Sequence, residues 1–218
     1  MARFQRKISF WLYYWPRWAL EWPFLALVCP IFRFRALGTY QGIAICKATF
    51  SRSTSKRFLG HTLEALQLIE RIDPRRFKRI QREIHFIVHA ELLSGASYNQ
   101  FGRICNVDYC KYEFDRDHDW YLYCYASTLV HEATHGTICS NYVAYSLRNR
   151  CRIERICHRE EYRFLHKLDT PERSWSKQIA GEFDPRSWSP YWHSNWLSRA
   201  RGLWKRASDV RKDSSKNR

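Results

Sequence analysis

Acidic residues are in short supply. The 218 residues include 21 Asp and Glu against 37 Lys and Arg, for a net charge of +16 and a pI of about 9.7. Such a balance draws phosphates, whether in nucleic acids or in anionic lipid headgroups. No zinc-finger spacing and no aromatic RNP pattern accompanies it, so a nucleic-acid partner is not expected. Glycine and proline are scarce, at eight and seven residues, which excludes collagen-like and low-complexity chains; the lack of any fixed period excludes solenoids and propellers. The eight cysteines contain no C-x-x-C pair, so neither a zinc ribbon nor a thioredoxin-type site is expected, and reduced thiols are. A charge-free apolar run long enough for a membrane span, about 20 residues, is also missing. The most apolar stretch, residues 10–32, is broken by Arg17, Glu21, Pro16, Pro23 and Pro30, and the same breaks argue against a cleaved secretory leader.

What the chain has in surplus is bulk: 45% of it is hydrophobic and 17% aromatic, with ten Trp, thirteen Tyr and thirteen Phe. A packed core of one domain is expected, in a cytoplasmic protein. Residues 1–36 form an aromatic, basic segment flanked by Arg3, Arg6, Lys7, Arg33 and Arg35. It suits either a cover over one side of the core or a peripheral contact with an anionic membrane. Residues 37–170 read as the main domain. Leu63, Leu66, Ile69 and Ile72 recur at helical spacing until Asp73-Pro74 ends the run in a turn. Residues 84–93 and 103–114 read as two strands of an antiparallel pair, joined by the turn-forming 95–102. A helix is expected over 120–136 and another over about 147–168. Residues 171–218 read as a Trp-rich wrap and, from about Ser208, a disordered basic tail.

The informative residues are His131-Glu132-Ala133-Thr134-His135. On a helix, positions i and i+4 share a face, so both imidazoles can meet one Zn²⁺ while Glu132 stands beside them as a general base. No charged residue occurs from Tyr121 to Val130 or from Gly136 to Ser146, so this helix can be buried. A third ligand would leave one coordination position open, and Glu154 follows His135 on the next expected helix. Glu160 and Glu161 share that helix. With residues at about 100° intervals, Glu160 lies at the centre of the apolar stripe of Ile153, Ile156, Cys157 and Phe164, whereas Glu154 and Glu161 sit one above the other at its edge. Glu154 is the preferred ligand, with Glu161 and Glu160 as the alternatives; beside Glu154 as ligand, Glu161 would be its supporting partner and Glu160 could be satisfied by an Arg side chain. His85 and His89 fall on one strand face, and His118 lies in an acidic turn with Asp115, Asp117 and Asp119.

Between residues 84 and 168 the sequence resembles the gluzincin branch of zinc metallopeptidases, in which H-E-x-x-H on one helix is completed by a Glu on the next. The resemblance implies a zincin-like α+β fold, with a small, mostly antiparallel sheet packed on the two helices. It implies zinc held by His131, His135 and Glu154, with Glu132 as general base in hydrolysis of a peptide or protein substrate. No G-x-M-E-N motif is present, so exopeptidase activity is not implied, and position 158 is His where thermolysin-like enzymes carry Asp. The competing class is a non-enzymatic basic protein at a membrane surface or on nucleic acid. There zinc would only staple two helices, with Cys139, Cys151, Cys157 or His158 closing the shell.

Overall fold

The computed structural model describes residues 2–48, 53–90, 96–146 and 148–185. The tail expected from Ser208, and the Trp-rich stretch after 185, lie outside the described residues. Residues 1–183 form one compact unit. It is a mixed α+β structure in which five short strands make one open sheet: β1 (Gly38–Tyr40), β2 (Ile43–Lys47), β3 (Phe86–His89), β4 (Ala96–Asn99) and β5 (Ile104–Val107), in the order β1-β2-β3-β5-β4. The helices are α1 (Ala2–Phe34), α2 (Ser53–Ile72), α3 (Pro74–Glu83), α4 (His118–Ser140) and α5 (Arg150–Leu165).

The sheet departs from the expected antiparallel pair. β3 runs parallel to both β2 and β5, and only the outer pairings, β1 with β2 and β4 with β5, are antiparallel. The reason lies in burial. Ile43, Ile45, Ile87, Cys105 and Val107 enter one core, while Ala44, Cys46, Phe86, Val88 and Ile104 enter a second on the opposite face. Central strands covered on both sides lose the apolar-polar alternation of a half-exposed hairpin and read as continuous apolar runs, the pattern of parallel strands. The 95–102 stretch is correspondingly more than a turn: it contains β4, which forms the sheet edge, and the chain returns through Phe101 and Gly102 to insert β5 beside β3.

The larger core is closed by α2, α3 and α4. In α2 the apolar spacing buries Phe58, Ala65, Leu66 and Ile69 completely. Asp73-Pro74 ends this helix, as the spacing implies, and also begins the next. The Asp73 carboxylate accepts from the Arg76 amide at 3.2 Å, and Pro74, whose ring presets a helical φ, takes the first helical position. The basic stretch after the turn is therefore α3, which buries Phe77, Ile80 and Glu83. The smaller core is covered by α1 through Cys29 and Phe32. All eight cysteines are free thiols. Among the described residues, no helix is long and apolar enough to cross a membrane.

The fit of α4 beneath the sheet edge rests on Gly136. A Cβ built there would lie 2.6 Å from Glu83 Cβ and 3.0 Å from the Tyr98 ring. Neither neighbour is free to withdraw: Tyr98 donates its hydroxyl to the Glu83 carbonyl at 2.9 Å, and the Glu83 carboxylate accepts from Ser140 Oγ at 2.7 Å. Gly136→Ala is expected to destabilise the fold by about 1–3 kcal/mol, readable as a lowered midpoint in chemical denaturation.

Candidate metal centre

The helix that carries the motif starts at an Asp cap, where the Asp117 carboxylate accepts from the Trp120 amide at 3.0 Å. From there α4 runs through the core, burying Leu122, Tyr125, Ala126, Leu129, Val130 and Ala133. His131, Glu132 and Thr134 are buried with them, and His135 is half-buried. The helix continues past the expected stop at Gly136, because that glycine serves close packing within the helix. α5 packs along α4 and buries Ile153, Glu154, Cys157, Phe164 and Leu165.

The two helices bring the expected ligands together. His131 Nε2 lies 3.2 Å from Glu154 Oε2, and His135 Nε2 lies 3.6 Å from the same oxygen. The two imidazole rings are 5.0 Å apart. Donors about 2.0–2.2 Å from a tetrahedrally held metal ion stand roughly 3.3 Å from one another, and the two nitrogen-to-oxygen spacings are close to that, so these side chains could hold a metal. Glu154 is 3% exposed. Its second oxygen, Oε1, accepts a hydrogen bond from Tyr145, whose ring also stands edge-on to His135 at 5.5 Å.

The opposite nitrogen of His131 is held as well. Nδ1 lies 3.2 Å from Glu161 Oε2, and Glu161 Oε1 accepts from Ser127 Oγ at 3.0 Å. An Nδ1–H donated to a carboxylate fixes the tautomer and leaves the Nε2 lone pair for a metal. Glu154 and Glu161, which the helical wheel left side by side, thus stand one at each nitrogen of His131. Glu160 does neither: it pairs with Arg76 at 3.1 Å, Arg79 at 3.0 Å and Arg163 at 2.9 Å.

Charge follows the same geometry. Burial resists ionisation of both Glu154 and His131. Hydrogen bonds from His131 and His135 overcome it at Glu154 and hold its carboxyl well below the usual carboxylate range. At His131, hydrogen bonds to Glu154 and Glu161 overcome it and hold the ring well above the ordinary histidine value. The two carboxylates thus draw positive charge to the point where the donors meet, charge that a proton on His131 supplies and that a bound cation would have to displace. Glu132 behaves differently. Burial pushes its carboxyl up, the charges of His135 and His131 pull it down, and burial wins.

Cys157, one turn after Glu154, also reaches the group. Its sulfur and the nitrogens of His131 and His135 all lie within 4.8 Å of one another. Burial, then the neighbouring Glu154, Glu132 and Glu161 carboxylates, pushes its thiol pKa well above the ordinary value.

His61, His85, His89 and His118 stand elsewhere. His89 is buried in β3 and meets the Val107 carbonyl at 3.3 Å and the Tyr109 amide at 3.4 Å, a structural role. His85 lies 3.3 Å from Arg103. His118 meets Glu64 at 3.1 Å, and His61, Glu64 and His118 form a second group of possible ligands. Of the tyrosines close to the motif in sequence, Tyr145 supports Glu154, while Tyr142 packs its ring on Phe10. The support from Ser127 had a legible signal in its position four residues before His131; Tyr145, in the loop between the helices, is close enough in sequence to be read as within reach of the site, but nothing in the sequence marks it as the partner of Glu154.

No family model, curated protein or solved structure matches this chain. Glu161→Gln keeps the shape of that side chain and removes its charge, and it is expected to weaken zinc binding by about 10- to 100-fold. Competition against a chromophoric chelator measures it.

Proposed function

We propose that the chain is a zinc-dependent hydrolase, a metallopeptidase of the gluzincin type, with His131, His135 and Glu154 as zinc ligands. The observation that carries this reading is the convergence of two imidazoles, one helical turn apart on α4, on a single buried carboxylate of α5. The strand arrangement supports it. β4 is one of the two antiparallel edges of the sheet and packs against α4, so an extended peptide could add its backbone to that edge close to the ligands. A zincin-like fold is the corresponding reading of the whole domain.

When bound, zinc supplies a Lewis acid that polarises the scissile carbonyl and makes water nucleophilic near neutral pH. The protein side chains do the rest. Glu132 is next to the first imidazole in sequence and buried in a low-dielectric setting. It takes a proton from the attacking water and delivers it to the leaving amine. Glu161 and Ser127 hold His131 in orientation, and Tyr145 holds Glu154.

A second reading is carried by Cys157. With that thiolate as a fourth protein ligand the shell would be closed, and zinc would staple α4 to α5 in a non-enzymatic basic protein. Three variants separate the readings, assayed for zinc stoichiometry and for cleavage of a denatured protein substrate. His131→Ala is expected to lose tight zinc binding in either case. Glu132→Gln should keep zinc and lose about 10²- to 10⁴-fold in turnover; a variant as active as the parent defeats the peptidase. Cys157→Ala should keep both zinc and turnover, whereas loss of zinc from this variant favours the staple.

A further inference from the structure

Large apolar side chains are left at the surface almost wholly by one element. Of the nine such side chains among the described residues, eight belong to α1: Ile8, Trp11, Leu12, Tyr13, Trp15, Leu27, Ile31 and Phe34. Leu12 is 72% exposed, Leu27 66% and Phe34 93%. From Ile8 to Phe34 the helix extends about 39 Å at 1.5 Å per residue. Its inward side is already used: Phe10 and Tyr14 are buried, with Tyr14 packed on Phe101, and Phe32 meets Phe86 in the smaller core. α1 is therefore apolar on two sides, and the domain covers only one of them.

We propose that the outward side of α1 docks in the plane of an anionic lipid bilayer. Charge complementarity selects this occupant. Lys7 at one end of the apolar side and Arg33 and Arg35 at the other are exposed, and the whole helix contains a single acidic residue, Glu21. A second copy of the chain brings another +16 to the same face. The chain's own residues 186–218 carry nine Lys and Arg against two Asp, so they bring like charge as well. Anionic headgroups bring the opposite sign, and they bring it next to hydrocarbon that accepts Leu and Phe. Trp and Tyr are the side chains that settle at that boundary, with an apolar ring and a polar edge.

The prolines fix the depth. Pro16, Pro23 and Pro30 recur at seven-residue intervals and are all exposed. Each removes one backbone donor, so a carbonyl one turn earlier lacks its helical partner. Water at the headgroup level satisfies such carbonyls, whereas the hydrocarbon interior would not. The helix is thus suited to lying in the interface, in keeping with its insufficiency as a membrane span. The docking side is joined to the candidate metal centre through its inward neighbour: the Tyr145 amide donates to Tyr14 Oη at 2.9 Å, and Tyr145 in turn donates its hydroxyl to Glu154.

Vesicle flotation of the full chain tests the proposal. The parent is expected to float with phosphatidylcholine vesicles containing about 30 mol% phosphatidylglycerol, and to do so at least roughly tenfold less with phosphatidylcholine alone or in roughly 0.5 M salt. The triple substitution Leu12→Glu, Leu27→Glu and Phe34→Glu should reduce flotation about tenfold or more while leaving the circular dichroism spectrum and zinc stoichiometry unchanged. A second variant, Lys7→Glu with Arg33→Glu and Arg35→Glu, changes no apolar side chain and should lose the preference for anionic vesicles. A parent that does not float, or a triple variant that floats like the parent, overturns the proposal. So does a parent that is dimeric and lipid-indifferent and that the triple substitution makes monomeric, since the face would then be an interface between copies. None of these outcomes bears on Glu132, so this inference and the peptidase reading fail separately.

Discussion

A carboxylate removed from water must be given positive charge or hydrogen-bond donors in return, and the junction of α4 and α5 is organised by that requirement at Glu154. One oxygen faces two imidazoles and the other receives a phenol. The nitrogen of His131 that turns away from Glu154 meets a second acid, which is itself held by Ser127. Removing both imidazoles would strand a buried charge, a situation that costs several kcal/mol. The two helices consequently have one compatible register. It is set by polar groups inside an otherwise apolar contact, and it makes the candidate site part of the structural core.

The scaffold around this junction keeps it in place from two sides. Below the sheet, α2 and α3 close the larger core, and Gly136 lets α4 approach Glu83 and Tyr98 closely enough for the edge strand to lie along it. Above the sheet, α1 seals the smaller core. Its hydroxyl contact at Tyr14 meets the same loop that supplies Tyr145 to Glu154. The surroundings of the candidate site therefore draw on α1, α3 and the sheet edge, although His131, His135 and Glu154 come from two helices.

Much of this was legible in the residues. The i, i+4 spacing of His131 and His135, the uncharged flanks of the motif, and the wheel position that set Glu154 apart from Glu160 all follow from helical geometry. The same wheel grouped Glu154 with Glu161 without telling ligand from support, because one edge of a helix offers two residues a turn or two apart and only the neighbouring helix decides between them. The sheet was less legible. Phe86–His89 is apolar on both faces, which removes the alternation that reports strand environment, and nearness in sequence favoured an antiparallel pairing where β3 and β5 in fact run parallel, with β4 intervening in the chain. β1 and β2 are too short to show a period, and the continuous helix of α1 was hidden by three prolines whose harm is confined to its exposed side.

The strand order also has a temporal side. β4 is made before β5, yet β5 is the neighbour it hydrogen-bonds, so residues 96–99 leave the ribosome with no native strand to join until residue 107 has followed. The histidines emerge later still, and Glu154 after them. The residues that could hold an ion are thus made only after both strands of this sheet edge are available to pair.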